Sequence, residues 1–207
     1  MKITLIGSDP KIWRRVEVHS GLTLDDLHVV IQCVFGWEDY HLYHFLAPPG
    51  GKLTRKAMAE ATRFHVLPPD PGFDDEEKED VPADDVLVGR VLNKECPQIV
   101  YEYDFGDSWE HLVRIEKRTT GGDQDHVPVC LAGENAAPLE DSGGMYGYYN
   151  WLDALQNEMN PMHEEAVDWL GKGFDPAHFD LNAANKSLAA AFKIVPKKPR
   201  KPRKKKD

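Results

Sequence analysis

Residues 99–117 read Ile-Val-Tyr-Glu-Tyr-Asp-Phe-Gly-Asp-Ser-Trp-Glu-His-Leu-Val-Arg-Ile-Glu-Lys, and they contain the clearest structural signal in the sequence. Large side chains take every second position on both sides of Gly106-Asp107, as they do in a strand with one buried face. The pattern predicts two strands joined by a tight Gly-Asp turn. The alternating residues are Tyr101, Tyr103 and Phe105, then Trp109, His111, Val113 and Ile115.

The residues before this hairpin predict further strands and one helix. Positions 2–18 alternate around Ser8-Asp9-Pro10, a polar turn signal, and predict a second hairpin. A helix follows, for which Thr23 is a suitable N-cap and Gly36 a suitable C-cap. Residues 40–46 then predict a strand, which gives the β-β-α-β order of a β-grasp-like half-fold.

The second half of the chain predicts mostly loops and helices. Residues 86–93 favour a short helix, and the polar, glycine-rich stretch 127–147 favours an irregular loop over the sheet. Three short helices are predicted at 148–157, 163–170 and 182–192. We therefore expect an α+β fold, in which the early helix packs on one face of a mainly antiparallel sheet and the C-terminal helices close the domain.

Charge divides the chain into two parts. The sequence has 25 Lys and Arg against 35 Asp and Glu, and its formal net charge is −10. Residues 193–207 contain nine of the basic residues and one of the acids, which leaves 16 against 34 for residues 1–192. We expect residues 1–192 to form one domain and residues 193–207 to be a disordered basic tail. Within the domain, residues 70–85 are rich in Pro, Asp and Glu, and they predict an acidic loop or a disordered insertion.

The basic tail is the part of the sequence suited to nucleic acid, because neutralising phosphates needs Lys and Arg. The acidic body is poorly suited to that contact for the same reason. The alternative is a solubilising or self-associating tail that touches the acidic body. The residues predicted to contact nucleic acid are Lys197, Lys198, Arg200, Lys201, Arg203, Lys204, Lys205 and Lys206.

Cysteine usage and hydropathy predict a cytoplasmic protein. Cys33, Cys96 and Cys130 form no Cys-x-x-Cys pair, which argues against a disulfide framework and fits a reducing compartment. The N-terminus lacks the apolar run of a signal peptide. No window approaches the ~18 apolar residues of a membrane span, so no membrane association is expected.

The hairpin and the stretch after it resemble the plasmid pRiA4b ORF-3-like family over roughly residues 2–192. The motifs that carry the resemblance are Tyr101-Glu-Tyr-Asp-Phe-Gly-Asp-Ser-Trp-Glu-His111, Pro128-Val-Cys130, Gly133, Pro138-Leu-Glu140-Asp141-Ser-Gly143-Gly144, Gly147-Tyr148, Trp169, Phe174-Asp175-Pro176 and Phe179-Asp180. Ile12-Trp13-Arg14-Arg15 and Leu22-Thr23-Leu24 fit it too. Asn135 replaces the family's usual basic residue, and Ser142 replaces a frequent cysteine, so any role of that cysteine does not transfer.

The resemblance implies a link to plasmids and insertion elements, where some members are labelled as resolvase-like (TnpR-like), but it implies no established activity. Serine recombinases surround a nucleophilic Ser with arginines, and tyrosine recombinases use a comparable Arg/His set. Residues 1–192 contain seven Arg, and none clusters with a Ser in such a pattern. The sequence therefore argues against recombination chemistry.

One constellation of acids and a histidine has catalytic potential. Asp104, Asp107 and His111 lie on the hairpin, and Glu140 and Asp141 lie on the glycine-rich loop that follows it. If the loop folds over the hairpin, these groups would bind a divalent cation or act as general acid and base, and His111, Asp107 and Asp141 would be the metal ligands. The alternative reading is structural: the hairpin acids bind turn amides, and the loop acids tether the loop.

Other residues favour structural roles. His41 and His44, three apart on a strand, would lie on opposite faces and would not share a metal, although one of them could join His111 or Cys130 at a zinc site. Cys130 has apolar and acidic neighbours, which favours a buried, inert thiol. The many aromatic residues have acidic neighbours, so core packing is favoured over base stacking.

Three functional hypotheses follow from the sequence. The first is a non-enzymatic accessory or binding protein of mobile elements, with weak nucleic-acid affinity in its tail. The second is a metal-dependent or acid–base enzyme that uses the constellation above. The third is an adaptor that binds a protein partner through a sheet edge or an acidic face. No cofactor is predicted, although the metal-dependent form of the second hypothesis would use a divalent metal.

Overall fold

The computed structural model describes residues 1–65, 81–120 and 127–193, which form an α+β fold. Within these residues, eight strands form one sheet. The strands are β1 (Lys2–Leu5), β2 (Trp13–Glu17), β3 (Tyr43–Ala47), β4 (Thr62–His65), β5 (Val81–Pro82), β6 (Gln98–Tyr103), β7 (Trp109–Arg114) and β8 (Val129–Glu134). The helices are α1 (Leu24–Phe35), α2 (Arg55–Ala59), α3 (Val88–Val91), α4 (Gly144–Gln156), α5 (His163–Leu170) and α6 (Leu181–Ala191).

The sheet has the strand order β5-β4-β3-β6-β7-β1-β2-β8. Neighbouring strands are antiparallel except β4 and β5. Both predicted hairpins are present, as β1–β2 and β6–β7, and they lie side by side because β7 pairs with β1. The β-β-α-β opening is also present, although β6 and β7 separate β3 from β1 in the sheet.

Helix α1 begins and ends at the predicted capping residues. The Thr23 hydroxyl accepts a hydrogen bond from the Asp26 amide at 3.0 Å, and the Asp26 carboxylate accepts one from the Thr23 amide at 2.9 Å. This reciprocal pair is a capping box. Gly36 ends the helix in the left-handed conformation at a φ of 77°, which glycine adopts without steric cost.

The register of five neighbouring strands, β4, β3, β6, β7 and β1, separates core from surface. Phe64, Phe45, Tyr101, His111 and Leu5 are successive cross-strand partners, and this buried row faces the core. The adjacent row, on the opposite face, consists of His65, His44, Glu102 and Glu110. Because cross-strand partners share a face of a sheet, one face packs aromatic rings and the other carries titratable groups.

Arg14 of β2 is buried against the C-terminal part of the domain. Its guanidinium donates hydrogen bonds to the carbonyl oxygens of Trp13, Val34 and Glu134, at 2.8–2.9 Å. The Phe179 ring lies 3.9 Å from the guanidinium carbon. Burial lowers the pKa of Arg14 to about 10, so the side chain remains charged at neutral pH.

Two segments differ from the sequence-based expectation. The stretch 127–147 is not wholly irregular, because Val129–Glu134 forms β8 on the sheet edge next to β2. The connection after β6 is also longer than a tight Gly-Asp turn, since residues 104–108 separate the strands. Phe105 therefore leaves the strand alternation, is 50% exposed and lies 5.0 Å from the His44 ring on the opposite face.

The predicted acidic insertion and the predicted basic tail lie mostly in parts of the chain that the structure does not describe. Residues 70–80 of the acidic insertion predicted at 70–85, and the tail from residue 194, lie outside the described residues. Where the description resumes, Val81–Pro82 pairs with β4, and Ala83 is buried. Among the described helices, none has the length and apolar character needed to span a bilayer.

Candidate metal centre

Three side chains from distant parts of the chain meet where β3 begins and β6 ends. His41 Nε2 lies 3.1 Å from Asp141 Oδ1 and 3.6 Å from Asp104 Oδ2. All three candidate ligand atoms lie within 4.8 Å of one another. His41 Nε2 is buried, and neither carboxylate is aligned to hydrogen-bond it. A nitrogen and two oxygens at this spacing form a set that a divalent cation could bridge.

The backbone between β3 and β6 positions the first two ligands. Asp104 directly follows β6, and its amide donates a hydrogen bond to the Leu42 carbonyl at 2.9 Å. This bond places Asp104 next to the segment that carries His41. Asp104 has a φ of 56°, and its Oδ1 accepts a hydrogen bond from the Gly106 amide at 2.9 Å. One carboxylate oxygen thus serves the turn, while the other approaches His41.

A single hydroxyl connects the loops that carry His41 and Asp141. The Tyr103 hydroxyl accepts hydrogen bonds from the amides of Tyr40, at 2.9 Å, and His41, at 3.3 Å. The same hydroxyl donates to the Glu140 carboxylate. Burial, together with the bond to Glu140, raises the pKa of Tyr103 above its ordinary value, so the phenol remains a donor. Glu140 also accepts from the Glu38 amide at 2.8 Å, and it therefore tethers the two loops.

Asp107 connects the hairpin to the start of α4. Its carboxylate accepts a hydrogen bond from the Gly143 amide at 3.0 Å. Gly144 has a φ of +68°, and a Cβ at this position would lie 2.7 Å from the Asp107 carbonyl oxygen. A larger residue would force the loop away from the hairpin. This contact holds the loop so that Asp141, three residues before Gly144, lies next to His41.

The predicted loop–hairpin contact therefore exists, but it groups the predicted residues differently. Asp104 and Asp141 approach a common point, whereas Asp107 and Glu140 bind backbone amides as the structural reading expected. The histidine at the site is His41, which the sequence reading had placed on a strand. Strand β3 begins only at Tyr43, so the rule that residues three apart lie on opposite faces did not apply to His41.

His111, the predicted catalytic and metal-binding histidine, does not join these carboxylates. It belongs to the buried row on the core-facing side of the sheet and lies between the rings of Phe35, Trp37 and Tyr101. Its Nδ1 donates to the Trp109 carbonyl at 2.9 Å. Burial lowers the pKa of His111 to about 3, so the ring is neutral at physiological pH. Its place on the inward face of β7 follows from the strand alternation, which was the available signal.

The other candidates take structural positions. His44 Nε2 lies 2.9 Å from Glu102 on the outer face of the sheet. Cys130 is buried, and burial raises the pKa of its thiol, which disfavours a nucleophilic role. The predicted nucleic-acid residues, from Lys197 to Lys206, lie outside the described part of the chain.

In the part of the chain that the structure describes, three potential ligands meet at this point, a number more typical of a catalytic than of a structural metal site. Structural zinc is usually closed by four Cys or His ligands, whereas catalytic sites leave a position for water or substrate. Carboxylates suit Mg²⁺ and Mn²⁺, and imidazole suits Zn²⁺ and Fe²⁺. One imidazole and two carboxylates therefore fit Mn²⁺ or Zn²⁺ best.

Comparisons with known proteins agree with the motifs of the hairpin and loop. The chain is 32% identical to the uncharacterized protein y4hQ of Sinorhizobium fredii (strain NBRC 101917 / NGR234) over 192 residues, which cover 91% of the chain and 89% of that protein. It is also 36% identical in sequence to a protein of unknown function, MM3350 from Methanosarcina mazei Go1, whose crystal structure is known. That match has a TM-score of 0.70 and covers 87% of this chain and 93% of the other. The profile described as "Plasmid pRiA4b ORF-3-like protein" matches residues 1–183. The chain belongs to the plasmid pRiA4b ORF-3-like family.

Proposed function

We propose that this protein is a divalent-cation-binding protein whose metal keeps open positions for a ligand. The observation that carries the proposal is the convergence of His41, Asp104 and Asp141, with ligand atoms within 4.8 Å of one another. The three residues come from the loop after α1, the end of β6 and the loop before α4. A chain brings such distant groups together only through its tertiary fold.

The geometry favours a metal with a chemical role. A cation held by three protein ligands would retain water molecules, and a bound water is acidified by the metal. His41 and the two aspartates would hold the ion, while Tyr103 and Glu140 would fix the distance between the two loops. The proposed activity is therefore metal-dependent ligand binding, with hydrolysis as the reaction that a metal-bound water would supply.

Metal titration of the purified, metal-stripped protein tests this proposal. Isothermal titration with Mn²⁺, Zn²⁺, Mg²⁺ and Ca²⁺ should show one site, and it should prefer Mn²⁺ or Zn²⁺. At a free metal concentration of about 100 times Kd, binding adds about 2.7 kcal/mol to the free energy of unfolding. For a domain of this size, that corresponds to a rise in Tm of roughly 5–10 °C.

Matched variants separate the site from non-specific binding by an acidic protein. His41→Ala and Asp141→Asn should each weaken binding by about 100-fold or more, because each removes or weakens one of three ligands. His178→Ala and Asp168→Asn, at exposed positions on other segments, should bind metal like the parent protein. Equal affinity in all four variants, or no binding by the parent, would refute the proposed site.

A second candidate function rests on the charge of the tail. Eight Lys and Arg lie between residues 197 and 206, which is enough for salt-dependent contact with nucleic-acid phosphates. An accessory role in plasmids or other mobile elements, in the cytoplasm, would use this contact. Replacing all eight residues by Gln in the full chain should abolish retardation of DNA at low salt. Unchanged retardation would eliminate the tail as the binding element.

A further inference from the structure

A pocket lies where the loop before α4, helix α4 and the connection from α4 to α5 meet. It encloses about 430 Å³. Sites for small molecules usually occupy ~300–1,000 Å³, so the pocket has the size of a ligand site. None of the proposed metal ligands lines it. The lining residues are Ser142, Gly147, Asn150, Trp151, Asp153, Asn160 and Met162.

Close packing of the loop on α4 forms one wall of the pocket. A Cβ at Gly147 would lie 1.9 Å from the Ser142 carbonyl oxygen, so the approach requires glycine at this position. Ser142 is buried, and its hydroxyl donates a hydrogen bond to the Leu139 carbonyl at 2.6 Å. The hydroxyl oxygen still has lone pairs that can accept from a ligand. The fold therefore fixes this wall before any ligand binds.

The connection from α4 to α5 holds a second wall. Asn160 Oδ1 accepts a hydrogen bond from the Met162 amide at 2.9 Å, which forms a tight turn. The first residue of α5, His163, donates from Nδ1 to the Ala154 carbonyl of α4 at 2.9 Å. These bonds fix the connection against α4. A pocket with fixed walls loses little conformational entropy when a ligand enters it.

Polar side chains in the pocket have hydrogen-bonding capacity that the described part of the protein does not use. Among the described residues, no protein group hydrogen-bonds the Asn150 amide, the Asp153 carboxylate or the Trp151 indole N–H. The Asn160 amide nitrogen is also available, because the turn uses only the side-chain oxygen of this residue. The pocket therefore offers an acceptor on Asp153, donors on Trp151 and Asn160, and both on Asn150.

Trp151 gives the pocket a flat apolar surface. The Trp169 ring of α5 stacks on it, with the ring centroids 6.1 Å apart and an angle of 25° between the planes. This stacking fixes the orientation of the indole. Met162 adds a second apolar side chain to the lining. A ligand of this pocket would thus meet one apolar, planar surface and several hydrogen-bonding groups.

The mixture of donors and acceptors selects the class of ligand. A sugar hydroxyl both donates and accepts, and the C–H groups on the face of a sugar ring pack against an indole. An organic ammonium ion has no acceptor, so the Asn160 amide would remain without a partner. Phosphates and carboxylates would meet the negative charge of Asp153, and no Lys or Arg is among the described residues that line the pocket.

We propose that the pocket between the loop before α4 and the α4–α5 connection binds a neutral saccharide. The sugar ring packs on Trp151, one hydroxyl donates to Asp153, and another accepts from the Asn160 amide. Asn150 serves as donor and acceptor to the same ring. This site is separate from the proposed metal centre and does not depend on it.

Proton–nitrogen correlation NMR of the full chain tests the proposal. The probes are glucose, galactose, mannose, N-acetylglucosamine, cellobiose and lactose. A sugar that binds should shift the indole N–H resonance of Trp151, which is identified by its absence from the spectrum of Trp151→Phe. The indole resonances of Trp13 and Trp109, which do not line the pocket, should stay in place. All titrations contain EDTA, because a bound cation would itself coordinate hydroxyls, so the result is independent of the metal centre.

Matched variants locate the binding in the pocket. Asp153→Ala and Asn150→Ala should each weaken the affinity for the sugar about tenfold, because each removes a hydrogen-bond partner of a hydroxyl. Asp168→Ala is the same substitution at an exposed position of α5 that does not line the pocket, and it should bind the sugar like the parent protein. The NMR titrations give the dissociation constants of all variants.

The expected result is a shift of the Trp151 resonance with at least one neutral sugar and a weaker affinity in Asp153→Ala. The proposal is overturned if none of the sugars shifts this resonance at millimolar concentrations. Equal affinities of Asp153→Ala and the parent protein would also contradict it. Choline and glucose 6-phosphate test the ligand class, and stronger binding of either compound than of every neutral sugar would show that the class is wrong.

Discussion

The two histidine environments described above, the buried row around His111 and the candidate metal centre around His41, differ in solvation: His111 is fully buried, whereas the His41 side chain is 28% exposed. His111 sits in the middle of β7, surrounded by aromatic rings, and its Nδ1 serves a neighbouring carbonyl. His41 precedes β3, on a loop, and faces two carboxylates. In this fold the strand interiors carry stability, and the segments at the strand ends carry the groups that are free for chemistry.

The comparison shows that a residue inside a strand and a residue just beyond the end of a strand take different roles. Trp109 and His111 follow the alternation of β7 and are fully buried. Asp104 is one residue beyond β6, where the chain turns with a positive φ, and one of its carboxylate oxygens approaches His41. We expect changes in the buried row to alter stability strongly, and changes at the centre to alter metal binding strongly.

The largest expected effect is on the buried row. Trp109→Ala removes a fully buried ring and should lower the free energy of unfolding by about 3–5 kcal/mol. Tyr146→Ala, at an 81% exposed ring in the first turn of α4, is the matched control and should change the free energy of unfolding by less than about 0.5 kcal/mol. Urea denaturation measures both. Similar losses in the two variants would contradict the separation of stability from the site.

Acidification should destabilise the protein through His111. Its pKa is about 3 in the folded protein and ~6.5 in an unfolded chain, so the unfolded state binds the proton first as pH falls. The contribution of the neutral His111 ring to the free energy of unfolding is therefore fully present above pH 6.5 and is lost as pH falls toward 3. Between pH 7 and pH 4 the loss is about 3 kcal/mol. Burial is the main cause, and the nearby charge of Arg14 acts in the same direction.

A histidine variant isolates this contribution from that of the carboxylates. His111→Gln removes the titration, so the difference in unfolding free energy between the variant and the parent should change with pH over this range. His178→Gln, the same substitution on an exposed segment, is the matched control. Urea titrations at several pH values supply the data. Parallel profiles for the parent and His111→Gln would show that the buried ring is not the source.

Tyr103→Phe should affect both regions, because this residue joins them. The substitution removes the hydroxyl that binds the amides of Tyr40 and His41 and the carboxylate of Glu140. We expect a loss of about 1–3 kcal/mol in stability and about tenfold in Mn²⁺ affinity. Thr23→Ala is the control for stability alone, because losing the cap of α1 should cost about 1 kcal/mol and leave metal affinity unchanged. Unaltered metal affinity in Tyr103→Phe would show that the Tyr103 hydroxyl does not position the metal ligands.

The smallest effect on stability is expected at the candidate metal centre formed by His41, Asp104 and Asp141. Asp141 is exposed and has a φ of 58°, a conformation that Asn also tolerates well. Asp141→Asn should therefore change the metal-free unfolding free energy by no more than about 0.5 kcal/mol. The same variant should lose metal affinity. Calorimetric melting of the metal-stripped protein checks this value, and a large destabilisation would mean that the site residues support the fold.

Sequence periodicity was enough to predict the hairpins and α1, because alternation and capping are local signals. It missed β8, since Gly133 and the polar residues around it weaken the strand pattern, and the strand is defined by pairing with β2. The α+β class followed from the elements that were found. The sheet order could not be predicted, because it depends on contacts between distant segments.

The site was predictable in part for the same reason. The motif with Asp104 and the loop with Asp141 were identified, and they do meet. His41 was missed because its role depends on where β3 begins, and strand limits are poorly encoded in local sequence. His111 was misplaced because its proximity to acids in sequence was weighed above the inward face that the alternation assigns to it.

The position of Arg14 has a consequence for the order of folding during synthesis. Its guanidinium contacts carbonyls from β2, α1 and β8, and the ring of Phe179 covers it. The N-terminal hairpin therefore leaves the ribosome carrying Arg14 before its partners have been synthesised. The last of them, Phe179, lies 165 residues later in the sequence. The hairpin can pair early, but its inner side stays open until nearly the whole chain has been translated. A nascent chain that stalls before residue 179 would expose this side to chaperones.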